Sequence, residues 1–269
     1  MKKFLAQSYV WLLLEVLYAP LIFIAIFSFT DSKILGIWNG FSTELYKSVF
    51  TGGMPHSLLG AVRNTFIIAI VAAAVSTLLG TIAAIGIHNM KGRGRRAITF
   101  MNSIPMLNPD VITGVSLFLL FVFLHFPQGY TTVTLAHITF CTPYVVLSVM
   151  PKLTQMNPNI YEAALDLGAT PAQALRKVLV PQLRPGMVSG FILAFTMSLD
   201  DFAVTFFTRG TIGLETLSTF IYTDARKSGL TPELKPLMTL IFVLVLVLLL
   251  IFNIRQSKAA KKAEANKSK

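Results

Sequence analysis

Apolar residues run through this 269-residue chain in long blocks, separated by short segments that hold most of its charge. A helix rises about 1.5 Å per residue, so about 20 consecutive apolar residues cross a bilayer core. Six blocks fit that scale: residues 9–30, 64–87, 98–126, 132–150, 186–207 and 237–254. The third is longer than the others and is broken by Pro105 and Pro109. The pattern predicts an all-α, polytopic membrane protein of six transmembrane helices, or five if the proline-broken block is re-entrant. The first block is too long for a signal peptide, contains Glu15 and lacks a small-x-small cleavage site, so it reads as a retained helix. No linker, low-complexity block or internal repeat divides the chain, which predicts a single transmembrane domain over 1–269.

Charge sets the orientation. Sixteen of the 23 Lys and Arg precede the first block or follow the second, fourth and sixth, as in Lys2, Lys3, Arg93, Arg95, Arg96, Arg176 and Lys177. Basic residues accumulate on the cytoplasmic side of membrane proteins, which places both termini and the segment 157–184 in the cytosol. The same flanking charge accounts for most of the net +11 and the sequence pI near 9.9. Nucleic-acid binding is therefore not expected. The basic tail, about 255–269, is polar, expected to be irregular, and suited to anionic lipid headgroups. Within the second block, small residues such as Ala72, Ala73, Gly80 and Ala84 suit close helix packing in lipid. Cys141 is the sole cysteine and reads as a small core residue. No Gly-Lys dipeptide occurs, so the chain has no phosphate loop of the Walker type and cannot use ATP by itself.

The segment 157–184 is charged, punctuated by glycine and ended by proline. Asn159 with Glu162 three residues on reads as a helix start, and Gly168 as its end in a positive-φ conformation. Thr170-Pro171-Ala172-Gln173 reads as a second start with a capping box, and Pro181 and Pro185 as stops. Two short helices with a corner follow. The stretch Glu162-Ala163-Ala164, then Gly168, then Val178-Leu179-Val180-Pro181 resembles the cytoplasmic coupling loop of ABC importer permeases, with two conservative departures at Val178 and Val180. That resemblance implies the type I importer permease fold, with Glu162, Ala163, Ala164, Gly168 and Pro181 facing a separate ATPase subunit.

Acidic residues inside apolar blocks are the second signal. Asp200 and Asp201 lie within the fifth block and Asp110 in the broken third. Each costs about 2.5–3.5 kcal/mol at mid-membrane on insertion scales, and no Lys or Arg within a block offsets them. Hydrogen bonding to Ser198, Thr196 or Thr205 is the packing alternative; a water-filled path favouring cations is the functional one. On one helix, Asp200 and Asp201 point about 100° apart, so one meets a path while its neighbour faces another element. His137, within the fourth block, reads as a hydrogen-bonded structural histidine.

The phrases Leu107-Asn108-Pro109-Asp110-Val111, His137-Ile138-Thr139-Phe140-Cys141-Thr142-Pro143 and Phe195-Thr196-Met197-Ser198-Leu199-Asp200-Asp201 are similar to a permease subunit of bacterial spermidine/putrescine importers, the one bearing an Asp-Asp pair. The resemblance implies a polyamine substrate, a sister permease subunit, two ATPase subunits that consume the ATP, an extracytoplasmic polyamine-binding protein and a bacterial plasma-membrane location. It implies no cofactor on this chain. Asp110, Ser198, Asp200, Asp201 and Trp38 are the expected path residues, with Phe206 and Tyr222 as further aromatic partners for a cation. The alternatives are the same machinery carrying another cationic solute, such as a metal ion, thiamine or an opine, or an intramembrane aspartyl enzyme.

Overall fold

The computed structural model describes residues 2–32, 36–157, 159–211, 213–227 and 230–267. The helices are α1 (Lys2–Phe27), α2 (Glu44–Thr51), α3 (His56–Asn89), α4 (Gly92–Leu107), α5 (Asp110–Phe123) and α6 (Tyr130–Gln155). They continue as α7 (Asn159–Asp166), α8 (Pro171–Ala174), a π-helical turn (Leu175–Leu179), α9 (Val180–Asp200), α10 (Ala203–Thr208), α11 (Leu217–Lys227) and α12 (Leu234–Lys267). There is no strand among the described residues.

Five helical segments are long and apolar enough to cross a membrane: Gln7–Phe27, His56–Asn89, Tyr130–Gln155, Pro171–Asp200 and Leu234–Ile254. The sixth predicted span is the pair α4 and α5, which bends by 107° at Asn108-Pro109. Proline supplies no N–H to continue the ladder and restricts the residue before it, so the break falls where the sequence places it. Asn108 bridges the bend by donating from Nδ2 to Thr113 Oγ1 at 3.2 Å.

The chain divides into two packing units, Met1–Pro55 with Thr223–Lys269, and His56–Tyr222. In the first, α12 packs on α1 and α2. Lys235 is buried at the start of α12 and donates from Nζ to the Ser32 carbonyl at 2.6 Å, so its charge closes the turn that follows α1. Helix α12 runs on through the basic tail to Lys267, where an irregular tail was expected. Its Ala, Lys, Gln and Glu residues are strong helix formers, and nothing interrupts the ladder.

The second unit is built on α3, α6 and α9, whose facing surfaces hold Ala73, Ala84, Cys141, Val145, Val149, Leu183 and Ala194. Of the small residues in the second block, Ala72, Ala73, Ser76, Gly80 and Ala84 are buried, which brings backbones close, while Ala83 is half-buried and Ala74 exposed. Thr65, Thr77 and Thr81 are buried too, and each donates its hydroxyl to the carbonyl four residues back, so none of the three hydroxyls is left unpaired. Gly80 marks the tightest approach among the glycines of α3, α6 and α9: a Cβ there would stand 2.7 Å from Val145 Cβ. Gly80→Ala is expected to cost about 1–3 kcal/mol by overpacking, read as a lower detergent melting temperature. Melting at the wild-type temperature would show that α3 and α6 separate without cost.

Candidate functional site

The segment after α6 begins with Asn157, whose Oδ1 accepts the Asn159 N–H at 3.0 Å. The cap of α7 is therefore Asn157, and Asn159, predicted as the cap, is already helical. The end of α7 follows the prediction. Gly168 has φ +84°, its N–H bonds the Leu165 carbonyl at 2.9 Å, and the Ala169 N–H bonds Ala164 O at 3.1 Å. Those two bonds make a Schellman motif, which satisfies carbonyls the helix would otherwise leave open. Thr170 then starts α8 with the predicted capping box: Gln173 N–H donates to Thr170 Oγ1 at 3.3 Å, and Thr170 N–H to Gln173 Oε1 at 3.1 Å.

The predicted stop at Pro181 does not occur. Helix α8 widens into the π turn, where Val180 N–H bonds the carbonyl of Leu175 five residues back, and continues into α9. Pro181 and Pro185 lie inside the first turns of α9. A proline near a helix start removes an N–H that needs no partner, and the wider turn before it relieves crowding against the preceding carbonyls. Glu162, Ala163, Leu167 and Gly168 are exposed, with Leu167 at 89%. Behind this corner lies an open cavity of about 920 Å³, lined by Ile85, Lys91, Leu153, Tyr161, Glu162 and Leu179 among others.

The acidic positions separate into two environments. The fifth predicted span is not one helix: α9 ends at Asp200, Asp201 is extended (φ −60°, ψ 131°), and α10 begins at Ala203. Asp201 produces this break. Its Oδ1 accepts the Val204 N–H at 3.2 Å, and its Oδ2 accepts the Thr205 N–H and hydroxyl, each at 2.8 Å. A carboxylate satisfying the free amides of a helix start is a strong cap. Asp201 is also 3.4 Å from Nε2 of His137, and only 6% of its side chain is exposed.

His137 completes the cluster. Its Nδ1 is 2.6 Å from Ser198 Oγ on α9 and its Nε2 is 2.9 Å from Thr205 Oγ1 on α10, with the ring 1% exposed. Ser218 donates to the Asp201 carbonyl at 2.5 Å. Neighbouring elements close around α10: Thr132 on α6 donates to the Thr208 carbonyl at 2.8 Å, and Gly114 brings α5 against the backbone of Ala203 and Val204. The packing alternative raised for Thr205 thus describes Asp201.

Asp200 differs. It is exposed at the last residue of α9, and Asp110, exposed at the first residue of α5, lies within electrostatic range of it. The start of a helix favours a carboxylate, which suits Asp110 to its place. Beside the break, Phe202, Phe206 and Tyr222 form one aromatic cluster, with Phe202 and Tyr222 centroids 4.9 Å apart and Phe206 and Tyr222 5.8 Å apart. One face of Phe206 already carries the Arg209 guanidinium, 5.3 Å from its centroid. Trp38 belongs to the first unit, half exposed, with its ring edge-on to Phe27 at 6.1 Å. The structure therefore joins Ser198 to Asp201 through His137 and leaves Asp110 within electrostatic range of Asp200. His137 is the buried, hydrogen-bonded histidine that the sequence suggests, but its link to Asp201 and the part of Ser218 were not read there, since they arrive from elements 64 and 17 residues from Asp201.

Residues 76–262 match the family described as the binding-protein-dependent transport system inner membrane component. Relatives include the putrescine transport system permease protein PotI of Escherichia coli, 39% identical over 84% of this chain and 81% of that protein. The spermidine/putrescine transport system permease protein PotC of Haemophilus influenzae is 35% identical over 92% of this chain and 95% of that protein. Among solved structures, a bacterial alginate ABC transporter in complex with an alginate-bound periplasmic protein matches at TM-score 0.66 and 18% identity, over 94% of this chain and 92% of that one. A methionine ABC transporter in an inward-facing conformation matches at TM-score 0.61 and 19% identity, over 77% and 99%. These two fix the fold, that of type I ABC importer permeases. The family sets aside the aspartyl-enzyme alternative, because its members are transport subunits. The chain belongs to the binding-protein-dependent transport system inner membrane component family, as a multi-pass permease subunit of an ABC importer.

Proposed function

We propose that this permease carries polyamines, spermidine or putrescine, into a bacterial cell. The observation that carries the reading is the exposed Asp200 at the end of α9, held beside a fixed chain break and within electrostatic range of Asp110. Two open carboxylates in an apolar unit suit a solute with several ammonium groups, each able to make charge-assisted hydrogen bonds. Tyr222 and the Phe202 ring offer π faces for the same charges. Ser198 and Asp201 serve the path by holding its wall, and Trp38 offers an aromatic face to the same kind of cation. The relatives whose names specify putrescine or spermidine/putrescine transport support the same substrate class.

The working complex pairs this chain with a sister permease, two ATPase subunits that hydrolyse ATP and an extracytoplasmic polyamine-binding protein; this chain binds no cofactor. Both termini and the corner at Glu162–Gly168 face the cytosol, in keeping with the distribution of Lys and Arg. Glu162, Ala163, Ala164 and Gly168 meet the ATPase, and Pro181 starts the helix that carries its displacement into the membrane. In proteoliposomes containing the assembled importer, unlabelled spermidine and putrescine are expected to compete with labelled putrescine, while thiamine and magnesium at equal concentration do not. Competition by either of the latter, with none by the polyamines, overturns the substrate assignment.

A further inference from the structure

His137 meets three polar side chains from two other elements and the break between them, and the transport reading gives it no task. The Thr205 hydroxyl hydrogen is engaged on Asp201 Oδ2 at 2.8 Å, so Thr205 Oγ1 can only accept from His137 Nε2 at 2.9 Å. Nε2 therefore carries a hydrogen, and it faces Asp201 Oδ2 at 3.4 Å as well. On the other side, Nδ1 meets the Ser198 hydroxyl at 2.6 Å. One ring thus ties the last turn of α9, the carboxylate in the break and the first turn of α10, all to α6. The alternative conformation of this stretch is a continuous helix through Asp201 and Phe202. It would restore regular backbone bonds but withdraw Asp201 from the amides of Val204 and Thr205 and turn the following residues by about 100° per residue inserted.

We propose that His137 is a positioning residue for transport: it locks the break between α9 and α10 through Asp201 and Ser198, and so fixes the direction in which Asp200 is presented. The inference rests on the reading of Asp200 as a path residue. His137 touches no substrate. It selects the broken form of the segment by making three polar contacts that a continuous helix cannot offer together.

The test uses the assembled importer in proteoliposomes, with variants compared at matched abundance. His137→Ala is expected to lower the maximal uptake rate at least tenfold at unchanged KM, because capture by the binding protein is untouched. ATP hydrolysis stimulated by the binding protein stays within twofold of wild type. His137→Gln, whose amide places an N–H near the Nε2 position, recovers uptake to within threefold. His137→Ala combined with Asp201→Asn is no slower than His137→Ala alone, since two members of one network act non-additively. Should His137→Ala fail to assemble, Thr205→Val removes the shared hydroxyl at nearly constant shape and is expected to give the same split between uptake and hydrolysis. Wild-type maximal uptake in His137→Ala, parallel loss of uptake and hydrolysis, or multiplicative losses in the double variant would each overturn the assignment. Asp200→Asn separates the two readings: normal uptake in that variant overturns the path role of Asp200, whereas slow uptake there with normal uptake in His137→Ala overturns the positioning role alone.

Discussion

Asp201→Ala is expected to remove most of this subunit from the membrane, whereas Asp200→Asn leaves it in place and slows uptake at least tenfold. The two carboxylates are adjacent in sequence but opposite in physical role. Asp201 is 6% exposed and accepts from two amides and a hydroxyl beside His137. Truncating one partner of a buried, hydrogen-bonded charge cluster costs about 3–5 kcal/mol, a large share of a protein's net stability. Asp200 has no such burden, and Asn there keeps size and hydrogen bonding while removing charge. Quantitative immunoblotting of membranes, with uptake normalised to it, separates the outcomes. Equal abundance for both variants would mean that the capping network does not hold α10. Undiminished uptake in Asp200→Asn would remove the charge argument for a polyamine path.

Gly168→Val is expected to cut stimulated ATP hydrolysis at least tenfold, while Gly168→Asn stays within threefold. The φ of +84° excludes a β-branched residue but admits Asn, and a Cβ at this position would meet nothing within 4 Å. The damage is therefore conformational: valine removes the Schellman bonds of Gly168 and Ala169 and swings α8 away from its aim. Hydrolysis by the reconstituted complex, with and without the binding protein, checks this. Equal loss in both variants would point to side-chain bulk against the ATPase instead of backbone strain.

Local chemistry was legible in the sequence wherever a short stretch specifies its own conformation. The capping box at Thr170-Gln173, the glycine end at Gly168 and the proline bend at Asn108-Pro109 depend on residues within a few positions of one another. The apolar blocks gave the spans for the same reason, since crossing length is a property of one segment. Three features escaped, the first because it depended on distant partners. The break at Asp200-Asp201 required His137, Thr205 and Ser218 to make a helix interruption preferable to a straight span. The continuation through Pro181 required a π turn, which no residue type announces. The cap at Asn157 lay two residues before the expected one, because Asn159 and Asn157 offer the same chemistry. Reading Asp200 and Asp201 as helical neighbours about 100° apart reached a correct separation of environments from an incorrect local geometry.

The π turn at Leu175–Leu179 has a consequence for rotational phase. Five-residue hydrogen bonding accommodates one residue more than an α-helical turn would, so the turn acts as a single-residue insertion in the helical stretch from Pro171 to Asp200. Deleting one residue there would let the stretch close into a regular α-helix with the segments before and after it kept in phase, because the wide turn takes up the surplus residue locally. A deletion between the π turn and Asp200 has no wide turn to take it up and would rotate that carboxylate by about 100° relative to the start of α8. The aim of Asp200 relative to the start of α8 thus tolerates a change of chain length at one place in the stretch and at no other.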